Sequence, residues 1–231
     1  SSEPRPALAR ALWGAGNAMA WQGDAVGGLP RMEQALDLWR RLEDRREIAL
    51  ALEGLGMTRF LAGLEQEARV ACEESLTLQR EVGDRVLVNR AMVALAQVLV
   101  GVGEMERAQS LSEEIVAFSR KTGDRRNEHS GLHFLADCAL TAGRCAESLG
   151  LYRESLALAQ AIDDRLETSF ELQGVAMSHS GLGSHELAVR LVSAAKAEWV
   201  RLGADVHMGF WDRLLDRYIG RAEEVLGPDV V

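Results

Sequence analysis

Lysine is almost absent. The 231-residue chain has Lys121 and Lys196 and otherwise carries its positive charge on arginine. Carboxylates outnumber cations, 35 Asp and Glu against 26 Lys and Arg, for a net charge of −9. Phosphate contacts need clustered cations, so this balance speaks against direct nucleic-acid binding by this region. Cysteine is scarce as well. Cys72, Cys138 and Cys145 are odd in number and lack metal-ligand spacing, which suits a reducing, cytoplasmic setting. Only 5% of residues are aromatic, yet 47% are hydrophobic. Disorder is thereby excluded, and closely packed Ala- and Leu-rich helices are favoured. No run reads as the roughly 18 apolar residues of a membrane span, and no signal peptide is visible. The start, Ser1-Ser2-Glu3-Pro4, lacks a Met. It reads as a processed product or, preferably, as a piece of a longer protein.

What is abundant is repetition. Gly23, Gly63, Gly103, Gly143 and Gly183 stand forty residues apart, and Asp44-Arg45, Asp84-Arg85, Asp124-Arg125 and Asp164-Arg165 keep the same step. A fixed period of this size marks a helical solenoid. Within each unit the apolar residues recur at helical spacing twice, interrupted by glycine. In the third copy Ala91, Met92, Leu95, Ala96 and Leu99 precede Gly103, and Ala108, Leu111, Ile115 and Phe118 follow it. The spacing predicts helices over 7–22, 25–42, 45–62, 65–82, 85–102, 105–122, 125–142, 145–162, 165–182 and 185–202. Glycines supply left-handed turns after helices, and the Asp residues supply N-caps. Pro30 is read as a first-turn proline. Four columns are expected to pack: Ala15, Leu55, Leu95, Leu135 and Val175; Gly16, Gly56, Ala96, Ala136 and Ala176; Leu36, Leu76, Val116 and Leu156; Ala68, Ala108, Ser148 and Ala188. A closing segment, about 206–226, departs from the period and reads as an amphipathic cap turning Phe210, Leu214, Leu215, Tyr218 and Val225 inward.

The second copy, with Ala51-Leu52, Leu55-Gly56, Gly63, Ala68, Glu74-Ser75-Leu76, Leu78 and Gly83-Asp84-Arg85, resembles a long-period tetratricopeptide repeat (TPR). The forty-residue period is similar to that of kinesin light chain and LGN-type scaffolds. The run Leu187 to Ala195, then Trp199, Leu202-Gly203 and Leu226-Gly227, resembles the closing segment of bacterial regulators of the AfsR, MalT and LuxR type. The resemblance implies an all-α fold, a right-handed α-α superhelix of five helix hairpins. The repeats fall at about 7–44, 45–84, 85–124, 125–164 and 165–204, with a cap over 205–231, in one domain spanning 1–231. It also implies a module for protein or peptide binding, a sensor or scaffold of a larger signalling or transcriptional regulator. A MalT-like reading implies a metabolite ligand instead. The nucleotide-binding loop of those regulators, G-x-x-x-x-G-K-[ST], is absent, and no helix-turn-helix is apparent.

In such a solenoid the first helices line a concave face. Helical spacing places Arg10, Trp13, Asn17 and Trp21 there, then Leu50, Glu53, Met57 and Phe60, then Arg90, Val93, Gln97 and Val100. Ser130, His133, Asp137 and Leu140 follow, with Phe170, Gln173, Met177 and Ser180 last. Of these, Arg10, Trp13, Asn17, Trp21, Glu53, Met57, Phe60, Arg90, Gln97, His133, Asp137 and Gln173 are the expected partner-binding residues. Trp13, Trp21, Met57 and Phe60 form an apolar patch bordered by Arg10, Glu53 and Arg90, as contact surfaces do. The competing reading packs Trp13 or Trp21 against a helix upstream. LGN-type scaffolds keep an Asn facing the groove; here Asn17 alone does so, and Met57, Gln97, Asp137 and Met177 take its place. A dimer through Trp39, Trp199 or Trp211 is a further reading. His129, His133 and Asp137 share a helix face at possible ligand spacing, but with no H-E-x-x-H they read as two partly exposed groove histidines rather than a metal site. His179, His185 and His207 receive no role. Cys138 and Cys145 flank the Gly143 turn and read as buried packing rather than a redox pair. Glu73-Glu74, Glu113-Glu114 and Glu223-Glu224 read as solvated faces. With no nucleophile, base and orienting group in one motif, and no cofactor fingerprint, a non-catalytic, cofactor-free module is expected.

Overall fold

The computed structural model describes residues 6–203 and 208–227; the Ser1-Ser2-Glu3-Pro4 start and His207 lie outside the described residues. Helices follow one another at the forty-residue step: α1 (Pro6–Trp21), α2 (Ala25–Arg41), α3 (Arg45–Leu61), α4 (Glu65–Val82), α5 (Arg85–Val102), α6 (Met105–Thr122), α7 (Arg125–Thr141), α8 (Cys145–Ala161), α9 (Arg165–Gly181) and α10 (His185–Leu202). Each end lies within a residue or so of the expected one. Among the described residues there is no strand. The architecture is an all-α tandem of five helix hairpins with a terminal helical segment.

The punctuation acts as its chemistry dictates. Asp24, Asp44, Asp124 and Asp164 each accept from the amide three residues on, at 2.9–3.2 Å. Asp84 accepts from Val86 at 3.0 Å and Leu87 at 3.3 Å. Four first helices (α3, α5, α7 and α9) and the second helix α2 are thus capped by carboxylates, which also suit the positive helix N-terminus. The second helices after α2 start differently: Leu64, Glu104, Arg144 and Ser184 make no side-chain cap bond. The preceding turn is closed by backbone bonds such as Leu64 N–H to Arg59 O and Arg144 N–H to Ala139 O, both 2.9 Å. These six-residue closures require a left-handed residue, supplied by Gly63 (φ 76°) and Gly143 (φ 74°). Where the turn after a second helix lacks glycine, Glu43 and Asp163 adopt φ 56° themselves. That conformation is unfavourable for an L side chain. Glu43→Gly and Asp163→Gly should therefore each raise stability by about 0.5–1 kcal/mol, read as a higher urea midpoint with unchanged slope.

The small-residue columns are helix crossings. A Cβ on Gly28 would lie 2.6 Å from Gly16 O, and one on Gly16 would lie 2.9 Å from Gly28 O. Ala68, Ala108, Ser148 and Ala188 are all fully buried. The large columns are buried with three exceptions: Leu135 and Leu156 are half-buried, and Ala15 is exposed. Pro30 lies in the second turn of α2 rather than the first, because capping by Asp24 starts that helix at Ala25.

The chain divides into two compact units, Ser1–Val102 and Gly103–Val231. In the N-terminal unit Met32, Leu36 and Trp39 of α2 pack on Ala51, Leu52 and Leu55 of α3. Contrary to the sequence reading, α5 is long and apolar enough to cross a membrane by length and composition, with mean hydropathy 1.5. Leu87, Met92, Leu95, Val98 and Leu99 of α5 are nevertheless buried in protein.

In the C-terminal unit Tyr152, Leu140, Phe170 and Met177 pack with the terminal segment. That segment comprises α11 (Gly209–Leu215), a π-helical turn (Asp216–Gly220) and α12 (Arg221–Leu226). The π turn inserts a residue into the helical phase. Trp211 and Leu214 before it and Tyr218, Ile219 and Ala222 in and after it face inward, while Phe210 and Leu215 are half-buried. Val225, expected inside, is 60% exposed.

Candidate partner-binding face

The first helices of the N-terminal unit hold a cavity of about 400 Å³ lined by Arg10, Trp13, Gly14, Trp39, Glu47, Leu50, Ala51 and Arg90. Its making is local. Trp39, reaching in from α2, is 3% exposed. Trp13 lies over Gly54, where a Cβ would sit 2.5 Å from the indole nitrogen. The Arg10 guanidinium stands 5.6 Å over the Trp39 ring and 3.7 Å from Glu47. Arg90 holds Glu53 at 2.9 Å. Burial pushes the Glu53 carboxyl up, opposed by the charge and hydrogen bond of Arg90. Arg10 and Arg90 keep side-chain exposures of 67% and 44%, so both guanidiniums remain partly open to a ligand.

Of the expected contact residues in this unit, Trp21 is exposed, and Trp13, Asn17, Glu53, Met57, Phe60 and Gln97 are half-buried. Phe60 presses onto Gly101, where a Cβ would fall 2.3 Å from its ring. The side chains that sequence reasoning did not place here are Trp39, Glu47 and Ala51. Trp39 belongs to a second helix, so the face-by-face count could not reach it. Its burial also removes it as a dimer contact.

The corresponding face of the C-terminal unit is closed. Asp137 is 3% exposed and Gln173 1%, so neither lies on an open surface, and His133 is largely covered. Leu140, Phe170, Met177 and Ser180 are buried too. The cover is the terminal segment. Trp211, 2% exposed, donates its indole N–H to Gln173 Oε1 at 2.6 Å. It stacks on His133 at 5.3 Å and meets Phe170 edge-on at 5.8 Å. Tyr218 O–H donates to Leu140 O at 2.8 Å, and Arg217 donates to Thr141 O at 3.2 Å. Trp211 is thus a core residue, not a dimer contact; Trp199 is half-buried against Phe170.

Beneath Trp211 lies a buried polar cluster. His133 Nδ1 meets Glu171 Oε1 at 2.7 Å, and its Nε2 lies 3.5 Å from Asp137 Oδ2. His129 Nε2 stands 2.9 Å from the same Glu171 oxygen. Tyr152 O–H donates to Asp137 at 2.6 Å. Burial disfavours the His133 imidazolium, but Asp137 and Glu171 outweigh it and hold its pKa up at about 10. Burial raises Asp137 to about 6, against the pull of His133 and Tyr152. Burial also opposes ionisation of Glu171, yet the histidines bring its pKa below the ordinary carboxylate value. Both histidines are partners of Glu171; His129 is buried, unlike the partly exposed residue expected, and His133 keeps 13% of its side chain exposed. No group of three or more His, Cys, Asp and Glu able to hold a metal occurs among the described residues. The three cysteines are free and buried; burial raises Cys72 and Cys138 to about 12, leaving both as inert thiols.

No protein-family model and no curated protein matches the chain. Solved structures do. The nearly identical TPR-like repeats of a Podosopora anserina kinesin light chain are 16% identical, with TM-score 0.63, over 86% of this chain and 97% of that one. A Rap protein complexed with competence and sporulation factor is 12% identical, with TM-score 0.74, over 93% of this chain and 62% of that one. A signal transduction ATPase with numerous domains and a tetratricopeptide repeat sensor, from Pyrococcus horikoshii, is 10% identical, with TM-score 0.62, over 96% of this chain and 34% of that one. The chain therefore spans less than two thirds of the latter two proteins. What these structures share with it is the fold: the chain is a TPR-like helical-repeat protein.

Proposed function

We propose that this chain is a non-catalytic module that binds a protein or peptide on the first-helix face of its N-terminal unit. The observation that carries the reading is the contrast between the two units. One first-helix face is filled by the chain's own terminal segment, while the other keeps a cavity with indole walls and two partly open guanidiniums. Aromatic and Arg side chains around a recess are the usual anchors of protein interfaces. The complex of the Rap protein with competence and sporulation factor supports a bound partner on this fold. The Pyrococcus ATPase supports a sensor or scaffold role within a larger signalling or regulatory protein.

Site-specific photo-cross-linking tests the reading. Benzoylphenylalanine at Met57 or Arg90 is expected to trap partner polypeptide in extracts of the source organism. The same group at the exposed second-helix positions Glu114 and Glu154 is expected to trap none. Equal trapping at all four positions, or none at any, contradicts the proposal.

A further inference from the structure

Among the described residues, α1 is the one first helix with an uncovered flank. Over 47–61, 91–102, 127–141 and 166–180 no residue of α3, α5, α7 or α9 is exposed. In α1, Leu8, Ala11, Ala15 and Ala18 are all exposed, Leu8 to 49%. One period on, Ala51, Leu55 and Thr58 are at most 2% exposed. What covers this flank in the later copies is the second helix of the hairpin before. Met32, Leu36 and Trp39 of α2 pack on Ala51 and Leu55. Three periods after Ala11 and Ala18 stand Gly131 and Cys138. A Cβ on Gly131 would lie 2.8 Å from Val116 Cγ2 and 3.0 Å from Ile115 Cγ2 of α6. Cys138 Sγ lies 3.6 Å from Met105 O at the start of the same helix.

We infer that this flank of α1 is a self-association surface, on which α1 of a second copy lies antiparallel, in the place a second helix takes elsewhere. Continuity with the four covered flanks says that a helix belongs there. Charge says which helix. No ionisable side chain lies between Arg10 and Asp24. Burying an unpaired Arg or Glu against such a surface is costly. Every second helix carries charge on its exposed side, at Arg31, Glu74, Glu114, Glu154 and Arg190. The uncharged exposed flank among the described helices is that of α1 itself. Its row is self-complementary. Leu8, Ala11, Ala15, Ala18 and Gln22 follow at steps of three and four, the spacing of a coiled-coil seam. Small side chains let two helix axes come close. A twofold axis at Ala15 sets Ala11 beside Ala18 of the second copy and Leu8 beside its Gln22, with the helix dipoles opposed. Arg10 and Trp21 stand about a quarter turn round the helix from this row, so the cavity stays clear of it.

Sedimentation equilibrium of the 231-residue chain over about 5–500 µM tests this. The mass is expected to rise from the 25.3 kDa of one chain toward twice that. Half-association at about 10–100 µM is expected, since one short helix pair is small for a specific interface. Ala15→Glu sets two carboxylates at the axis and keeps a strong helix former, so it should weaken association at least about tenfold. Its thermal midpoint at about 1 µM, where the chain is monomeric, should match that of the parent, because Ala15 is exposed. Thiol cross-linking fixes the register. Ala15→Cys should link two copies readily, whereas Leu8→Cys, about 20 Å from its own counterpart, should not. The three native thiols are buried, so background is low. Unchanged association of Ala15→Glu, or Leu8→Cys linking as fast as Ala15→Cys, overturns the inference. So does a single-chain mass at every concentration, which leaves the flank to a helix of another polypeptide segment. The binding face is judged separately, because its probes Met57 and Arg90 lie on α3 and α5.

Discussion

Replacing Trp211 by alanine is expected to cost about 3–5 kcal/mol and to release the terminal segment from the C-terminal unit. The indole is nearly fully buried and touches His133, Tyr152 and Phe170. Its removal leaves a cavity in the middle of the core and strands the Gln173 carbonyl without its donor. The remaining hydrogen-bonded anchors of the segment are the Tyr218 and Arg217 bonds to the end of α7, the Ser180 hydroxyl bond to Tyr218 O and the Cys145 thiol bond to the Tyr218 hydroxyl. Trp211→Phe keeps most of the volume and loses the hydrogen bond, so about 1–3 kcal/mol is expected. Urea unfolding gives the stability change, and amide exchange over 209–226 gives the release. A loss under 1 kcal/mol with unchanged exchange would show that the segment is held by other contacts.

The second large effect is at Glu171. Its carboxylate is fully buried between His133 and His129. Glu171→Leu leaves a buried imidazolium with Asp137 but without its other counter-charge, a class of change that costs about 3–5 kcal/mol. The same geometry sets a pH dependence. His133 rises from 6.5 to about 10 on folding. Its contribution is therefore complete below pH ~6.5 and lost as pH climbs through ~10. Unfolding free energy should fall by about 2–4 kcal/mol over that range. On the acid side the two carboxylates oppose each other. Glu171 lies below its ordinary value, so its contribution is present above pH ~4.5 and lost on acidification. Asp137 rises from 3.8 to about 6, so its contribution favours the fold in acid and is lost between those values. The alkaline limb is therefore the clean one. Urea midpoints at pH 6.5, 8 and 10 for the parent and for Glu171→Gln check it; equal slopes for the two proteins would refute the assignment.

The helices and their caps were legible because each depends on neighbours in sequence. Gly63 and Gly143 must take left-handed turns, and Asp44, Asp124 and Asp164 sit one residue before a helix. The small columns were legible because a forty-residue step brings Gly16, Gly56, Ala96, Ala136 and Ala176 to the same crossing. The open face was legible only for α1, α3 and α5. Its continuation through His133, Asp137 and Gln173 failed because helical spacing says which side of α7 and α9 they occupy, not what covers that side. The cover comes from a segment one residue out of register, which puts Trp211 inward, and a π turn after Leu215 leaves Val225 outward. Glu171 went unnoticed for a related reason: its column holds Ala51, Ala91 and Gly131 in earlier copies, and a charge there makes sense only opposite His129 and His133.

The central claim is that one first-helix face is open and the other is filled by the chain itself. Indole N–H signals of the full chain labelled with ¹⁵N-tryptophan, recorded with increasing gadolinium chelate, test it most directly. Trp21, 52% exposed, should broaden first, whereas Trp211, 2% exposed and bonded to Gln173, should broaden little and exchange slowly. If Trp211 broadens as readily as Trp21, the C-terminal face is open, and the contrast on which the binding role rests is gone.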